Sequence, residues 1–120
     1  MGTELTWLGH SAFRVDSPGG KRIYVDPFLN GNPKCPESEL EPERCDLVLL
    51  THGHDDHVGD TVAIAQRFGC PVIAQVELRG WLSTRGLSAR RSWLMSSASV
   101  SKLSLVRGFV IRADSLLAGC

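Results

Sequence analysis

Residues 46–50 read Asp-Leu-Val-Leu-Leu, an aspartate followed by an unbroken apolar run, together the length of a strand. A strand with apolar side chains on both faces needs a covering layer on each, which is the situation of a sheet buried between other elements. The polar residues 51–55 form a loop. Residues 56–68 then place Val62 and Ala65, with Ile64 and Phe68 on an adjoining stripe, at helical spacing, and Gly69 offers a C-cap. Residues 71–74 read as a strand and residues 77–84 as a short helix ended by Gly86. The order strand–loop–helix–strand–helix predicts an α/β domain with at least one parallel strand pair.

Upstream the grammar is antiparallel. Residues 4–8 and 12–16 read as strands around a Gly9-His10-Ser11 turn, and Ser17-Pro18-Gly19-Gly20 turns the chain into a third strand at residues 22–25. Trp7 and Phe13 are expected to be core aromatics. Pro33, Pro36 and Pro42 mark residues 30–43 as a loop, with a helical turn expected over residues 37–40.

A chain of 120 residues is the size of one domain. With 13 basic and 13 acidic residues the formal net charge is zero, which argues against a nucleic-acid partner held by bulk electrostatics. No apolar stretch is long enough to span a bilayer, and the N-terminus lacks the pattern of a secretory signal. Cys35, Cys45, Cys70 and Cys120 form no Cys-x-x-Cys pair, so the expectation is thiols in a reducing cytosol.

The chemistry lies in Thr51-His52-Gly53-His54-Asp55-Asp56-His57-Val58-Gly59-Asp60. Three of the four histidines fall here with two adjacent aspartates. Neutral imidazole and carboxylate are ligands for zinc and similar divalent ions. A loop leaving the C-terminal end of a buried strand is also where α/β folds build sites. Gly53 is read as letting the backbone turn tightly, so that His52 and His54 converge on one ion. Asp56 and His57, at the helix start, suit a second. Asp55 or Asp56 can cap the helix, but capping needs no histidines.

His-x-His-x-Asp-His after an apolar strand resembles the signature of the metallo-β-lactamase superfamily. Residues 6–13 (Thr-Trp-Leu-Gly-His-Ser-Ala-Phe), Asp26-Pro27-Phe28 with Gly31-Asn32-Pro33, and residues 51–60 are similar to a narrower branch, metal-dependent hydrolases related to L-ascorbate-6-phosphate lactonase. The resemblance runs to about Gly86. It implies an α/β fold, the N-terminal half of an αββα sandwich, with residues 1–86 as the half-domain and residues 87–120 as an atypical tail. It implies that His52 and His54 hold one metal and Asp56 and His57 the other. Asp26, at a strand end, would support the metal loop from behind its ligands. By itself His10 reads as a surface residue, but its Gly-His-Ser-Ala setting implies that it lines the site. Asp56 and His10 are the catalytic candidates. Glu77 falls where the branch carries a glutamate, although its residue type alone reads as a cap or surface group.

The implied cofactor is a divalent metal, two zinc ions in a complete relative, with manganese or iron as alternatives. The implied reaction is attack of a metal-activated water on an ester, lactone or phosphodiester of a small-molecule substrate, in the cytosol. The alternative is an incomplete or vestigial metal-binding domain without activity. A complete superfamily site also needs a third histidine on the first metal, a bridging aspartate and a further histidine. After His57 the sequence has no histidine, and Asp114 has no histidine beside it. The basic, serine-rich tail carries none of the earlier strand-and-turn grammar. Two accounts are open, a natural minimal form and a truncated or frameshifted reading of a longer gene, and the tail favours the second. A further account has a second chain supplying the missing ligands. An uncovered sheet face would promote association, so the chain is expected to be poorly soluble or a homo-oligomer.

Overall fold

The structure, a computed structural model, describes residues 2–87 and 92–94. The antiparallel portion comprises β1 (Glu4–Trp7), β2 (Phe13–Asp16) and β3 (Arg22–Val25). The parallel portion adds β4 (Leu47–Leu49), β5 (Val72–Ala74) and β6 (Ser92–Leu94), giving one sheet in the order β1-β2-β3-β4-β5-β6. Among the described residues the helices are α1 (Asp55–Val58), α2 (Thr61–Phe68) and α3 (Val76–Thr84), and a 3-10 turn spans Glu37–Glu39. The expected meander, the parallel pairing and the proline-bounded turn are all present. The sheet continues past Gly86, where Leu87 is buried and β6 pairs with β5. The expectations for residues 95–120, Asp114 included, lie outside the described residues. Among the described residues no helix is long and apolar enough to cross a membrane.

Strand alternation divides the core between the two faces of the sheet. Tyr24, Val48, Leu50, Val72 and Ala74 pack with Leu8, Ile64, Ala65 and Leu82 on the helix side. Ile23, Leu47 and Ile73 form a smaller cluster on the other face, with Val15 and Leu49 against it. The apolar run at residues 47–50 thus serves both faces, as its composition required. Each fully buried Val or Leu contributes about 1.5–3 kcal/mol relative to exposure.

Two expectations need correction. Trp7 is 58% exposed, because β1 is an edge strand, and its indole Nε1 donates to the His10 carbonyl at 2.9 Å instead of entering the core. The helix expected over residues 56–68 is two helices. Gly59 breaks it at φ +44, and a Cβ there would lie 2.4 Å from the Phe28 Cα and 2.7 Å from the Pro27 oxygen. The backbone at Pro27–Phe28 therefore crosses the helix path where only glycine leaves room. α2 then ends as expected, on Gly69 in the left-handed conformation.

Ion pairs tie the Glu37–Glu39 turn to the sheet. Arg14 Nη1 meets the Glu39 carboxylate at 2.6 and 2.7 Å, and Asp16 receives Arg14 at 3.0 Å and Arg22 at 2.7 Å. Burial works to raise the Asp16 carboxyl, but the hydrogen bonds and charges of Arg22 and then Arg14 outweigh it and hold the group below its ordinary value.

Candidate metal centre

Strand ends bring the site together. β3 and β4 run parallel, so their C-terminal ends lie side by side, and the Asp26 amide donates to the Leu49 carbonyl at 2.9 Å. The chain beyond β3 is held against the chain beyond β4 by Asp60. Its carboxylate accepts from the Leu29 and Asn30 amides at 3.0 and 2.9 Å, and its amide donates to the Pro27 carbonyl at 3.0 Å. Buried Asn32 fastens the turn after β1 to the same loop, donating to the Gly9 and Phe28 carbonyls at 3.0 and 2.9 Å. These bonds deliver His10, Asp26 and the loop at residues 51–57 to one place.

Asp26 forms the floor. It is 2% exposed, and it accepts from the Thr51 amide at 2.8 Å, the Thr51 hydroxyl at 2.6 Å and His57 Nδ1 at 2.9 Å. A carboxylate only accepts, so the network assigns the His57 proton to Nδ1 and leaves the Nε2 lone pair available. That nitrogen lies 3.9 Å from Asp56 Oδ1. Asp26 has φ +45 and His10 φ +53, a region uncommon for residues other than glycine. Two such residues facing one cluster is the pattern of strain held at a functional site.

His52 and His54 stand together, with His52 Nε2 3.0 Å from His54 Nδ1. Two nitrogens on one tetrahedral zinc at ordinary Zn–N lengths lie roughly 3.3 Å apart, so the pair is close to ligating separation. Gly53 between them also lies close under α3. A Cβ at Gly53 would lie 2.8 Å from Leu78 Cδ2, so α3 presses directly on the ligand loop. The His52 and His57 ring centroids are 3.9 Å apart, which makes the neighbouring sites contiguous. α1 begins at His54 without a side-chain cap, so neither Asp55 nor Asp56 is used for capping. Asp56 instead meets His10, whose Nε2 lies 3.2 Å from Asp56 Oδ2.

Ligand-type atoms of His10, Asp56 and His57 lie within 4.8 Å of one another, as do those of Asp26, His52 and His57. Of the sequence cluster, His52, Asp56 and His57 fall in these groups, His54 lies beside His52 but in neither of them, and His10 joins from β1's end of the sheet. Glu77 is exposed in the first turn of α3. Residue type alone marked Thr51 and Asn32 only as loop residues and Asp60 only as part of the helix expected over residues 56–68. Their signal was indirect: each is a small polar residue beside a candidate ligand or within the stretches that carry the resemblance.

The imidazole and carboxylate donors, with one histidine tautomer set by a buried carboxylate, fit a divalent metal. Residues 4–94 match the family described as Beta-lactamase superfamily domain. The chain is 45% identical over 87 residues to a metal-dependent hydrolase of Koribacter versatilis, covering 72% of this chain and 37% of that protein. It is 49% identical over 88 residues to one of Herpetosiphon aurantiacus, covering 72% and 36%. It thus spans well under half the length of these relatives. A metallo hydrolase from Ignicoccus hospitalis superposes with a TM-score of 0.66 at 31% identity, over 78% of this chain and 40% of that one. A diiron β-hydroxylase from Streptomyces venezuelae shares the fold, with a TM-score of 0.57 at 24% identity over 78% of this chain and 20% of its own.

Proposed function

The chain belongs to the beta-lactamase superfamily, and on that premise we propose that it is a metal-dependent hydrolase acting on an ester, lactone or phosphodiester of a small molecule. The observation that carries this reading is the buried Asp26 carboxylate beneath His52, His57 and Thr51, with Asp56 and His10 at the more exposed rim. His52 and His54 would hold one ion, and Asp56 and His57 a second. Zinc suits this donor set, with manganese or iron as alternatives. A bound divalent ion supplies Lewis acidity, making water a nucleophile near neutral pH and polarising the scissile group.

The side chains do the remaining work. Asp26 keeps His57 in the Nδ1–H form, so its Nε2 stays a ligand atom. Asp56, with its side chain 48% exposed, is open to incoming water and takes up its proton. His10, with Nε2 3.2 Å from Asp56 Oδ2, would pass that same proton on to the departing oxygen. Its backbone turn is held by the Trp7 indole and its neighbour Gly9 by Asn32, which keeps the imidazole in place.

The same reading assigns the chain to the cytosol, where its thiols stay reduced. It also includes self-association, for which Leu5, 63% exposed, and Trp7 on edge strand β1 are the candidate surface, read out by sedimentation.

The test is to strip the full chain with chelator, reload it with zinc, manganese or iron, and measure metal per chain beside hydrolysis of bis(p-nitrophenyl) phosphate and simple lactones. Metal-dependent turnover that His52→Ala abolishes is the expected result. Bound metal with no turnover on any of these substrates refutes the hydrolase and leaves a non-catalytic metal-binding domain.

A further inference from the structure

Asp26 touches His57 directly but reaches His52 only through Thr51. The Thr51 hydroxyl lies 2.6 Å from Asp26 Oδ2 and 2.9 Å from His52 Nδ1. Because the carboxylate can only accept, the hydroxyl proton points to Asp26, and the oxygen is left to accept from His52 Nδ1–H. His52 is thereby given the same tautomer as His57, with Nε2 unprotonated and 3.0 Å from His54 Nδ1. The Thr51 amide also donates to Asp26 Oδ1 at 2.8 Å, so the residue is anchored to the carboxylate at two points and its hydroxyl has little freedom to turn away.

We propose that Thr51 is a positioning residue that relays the buried Asp26 carboxylate to His52, so that one acid sets the ligand tautomer at both proposed metal positions. It rests on the metal-site reading above. Thr51 is not itself among the proposed metal ligands. It acts by removing the competing tautomer, in which Nε2–H would have to be displaced before an ion could bind.

The test uses the full chain with nitrogen-15-labelled histidine. Two-bond proton–nitrogen spectra of the metal-free protein at about pH 8, above the ordinary histidine titration, report each ring's tautomer directly. In the native chain and in Thr51→Ser, His52 and His57 both show Nδ1–H. In Thr51→Val, which keeps the shape and loses the hydroxyl, His52 moves toward the Nε2–H form or a mixture, while His57 remains Nδ1–H. The unchanged His57 signal serves as the internal check on folding, and Thr51→Ala repeats the test where the valine variant does not fold. Affinity for zinc alone, measured by competition with a chelating dye, falls about 10–100-fold in Thr51→Val and is restored in Thr51→Ser. A valine or alanine variant that keeps His52 in the Nδ1–H form overturns the relay, as does one whose zinc affinity matches the native chain. Failure of the native chain to bind zinc sinks the metal-site reading instead, and the tautomer spectra separate that result from failure of the relay.

Discussion

Replacing Asp26 by asparagine changes one atom in the floor of the site and little else. Asparagine tolerates the positive φ found there, so backbone strain is not altered. Its carbonyl oxygen can still accept from the Thr51 amide, now held at 2.8 Å. The amide nitrogen then takes the place of Oδ2, which accepts from the Thr51 hydroxyl at 2.6 Å and His57 Nδ1 at 2.9 Å. Turning the amide over would only set its NH2 against the backbone donor. The hydroxyl can rotate and accept from the new NH2, but His57 Nδ1–H cannot. It must lose its partner or change tautomer. Hydrogen bonds to a charged group contribute about 1.5–3 kcal/mol each, so the two lost bonds amount to about 3–6 kcal/mol, and the rebuilt neutral bond returns about 0.5–1.5 kcal/mol. The expected net loss is about 2–5 kcal/mol, a large share of a domain stability of about 5–15 kcal/mol. Urea unfolding followed by far-ultraviolet circular dichroism measures it, provided that the slope against denaturant is unchanged. A loss below about 1 kcal/mol, with His57 still in the Nδ1–H form, would refute the account of Asp26 as the acceptor that organises the site.

Other consequences are open to simpler measurements. Gly59→Ala would place a Cβ 2.4 Å from the Phe28 Cα on a backbone at φ +44 and ψ −117; a backbone region so sparsely populated by other residues costs about 1–3 kcal/mol, so the variant should melt well below the native chain, and an unchanged thermal midpoint would show that the Pro27–Phe28 crossing is not tight. Asp16 has its carboxyl held below the ordinary 3.8 in the folded chain. Its stabilisation is therefore fully present above the unfolded value and is lost as pH falls through the lower folded one. Asp16→Asn should flatten that acid limb of the stability–pH curve, and an identical limb in native and variant would remove Asp16 as its source. Cys45 is pushed strongly upward by its hydrogen bond with Cys70 and by burial, whereas Cys35 is only partly buried. Native-state alkylation followed by mass spectrometry should therefore modify Cys35 before Cys45 or Cys70; early labelling of Cys45 would contradict its placement under the sheet.

The histidine cluster was legible because its members are contiguous, and a short loop at a strand end can converge them without help from distant chain. The strands and helices were legible for a similar reason, since local periodicity and turn residues act over a few positions. Where the reading went wrong, distant chain was the cause. Nothing near Gly59 in the sequence announces that the Pro27–Phe28 backbone crosses there and splits a helix that periodicity would continue. Trp7 has the composition of a core residue, but its strand forms the edge of the sheet and its indole finds the His10 carbonyl instead.

The residues around the cluster divide along the same line. Residue type and spacing alone marked His52, His54, Asp56 and His57 as candidate metal ligands, and showed that a buried strand delivers them. Asp26 and His10 stood out only through family likeness, because a lone acid or histidine carries no local pattern. The tertiary structure decided that His10 lies against Asp56, and that one buried carboxylate reaches His57 directly and His52 through Thr51. Those contacts join separate loops that only the pairing of β1 through β4 brings together. The orientation of a ring nitrogen depends on what lies behind it in space.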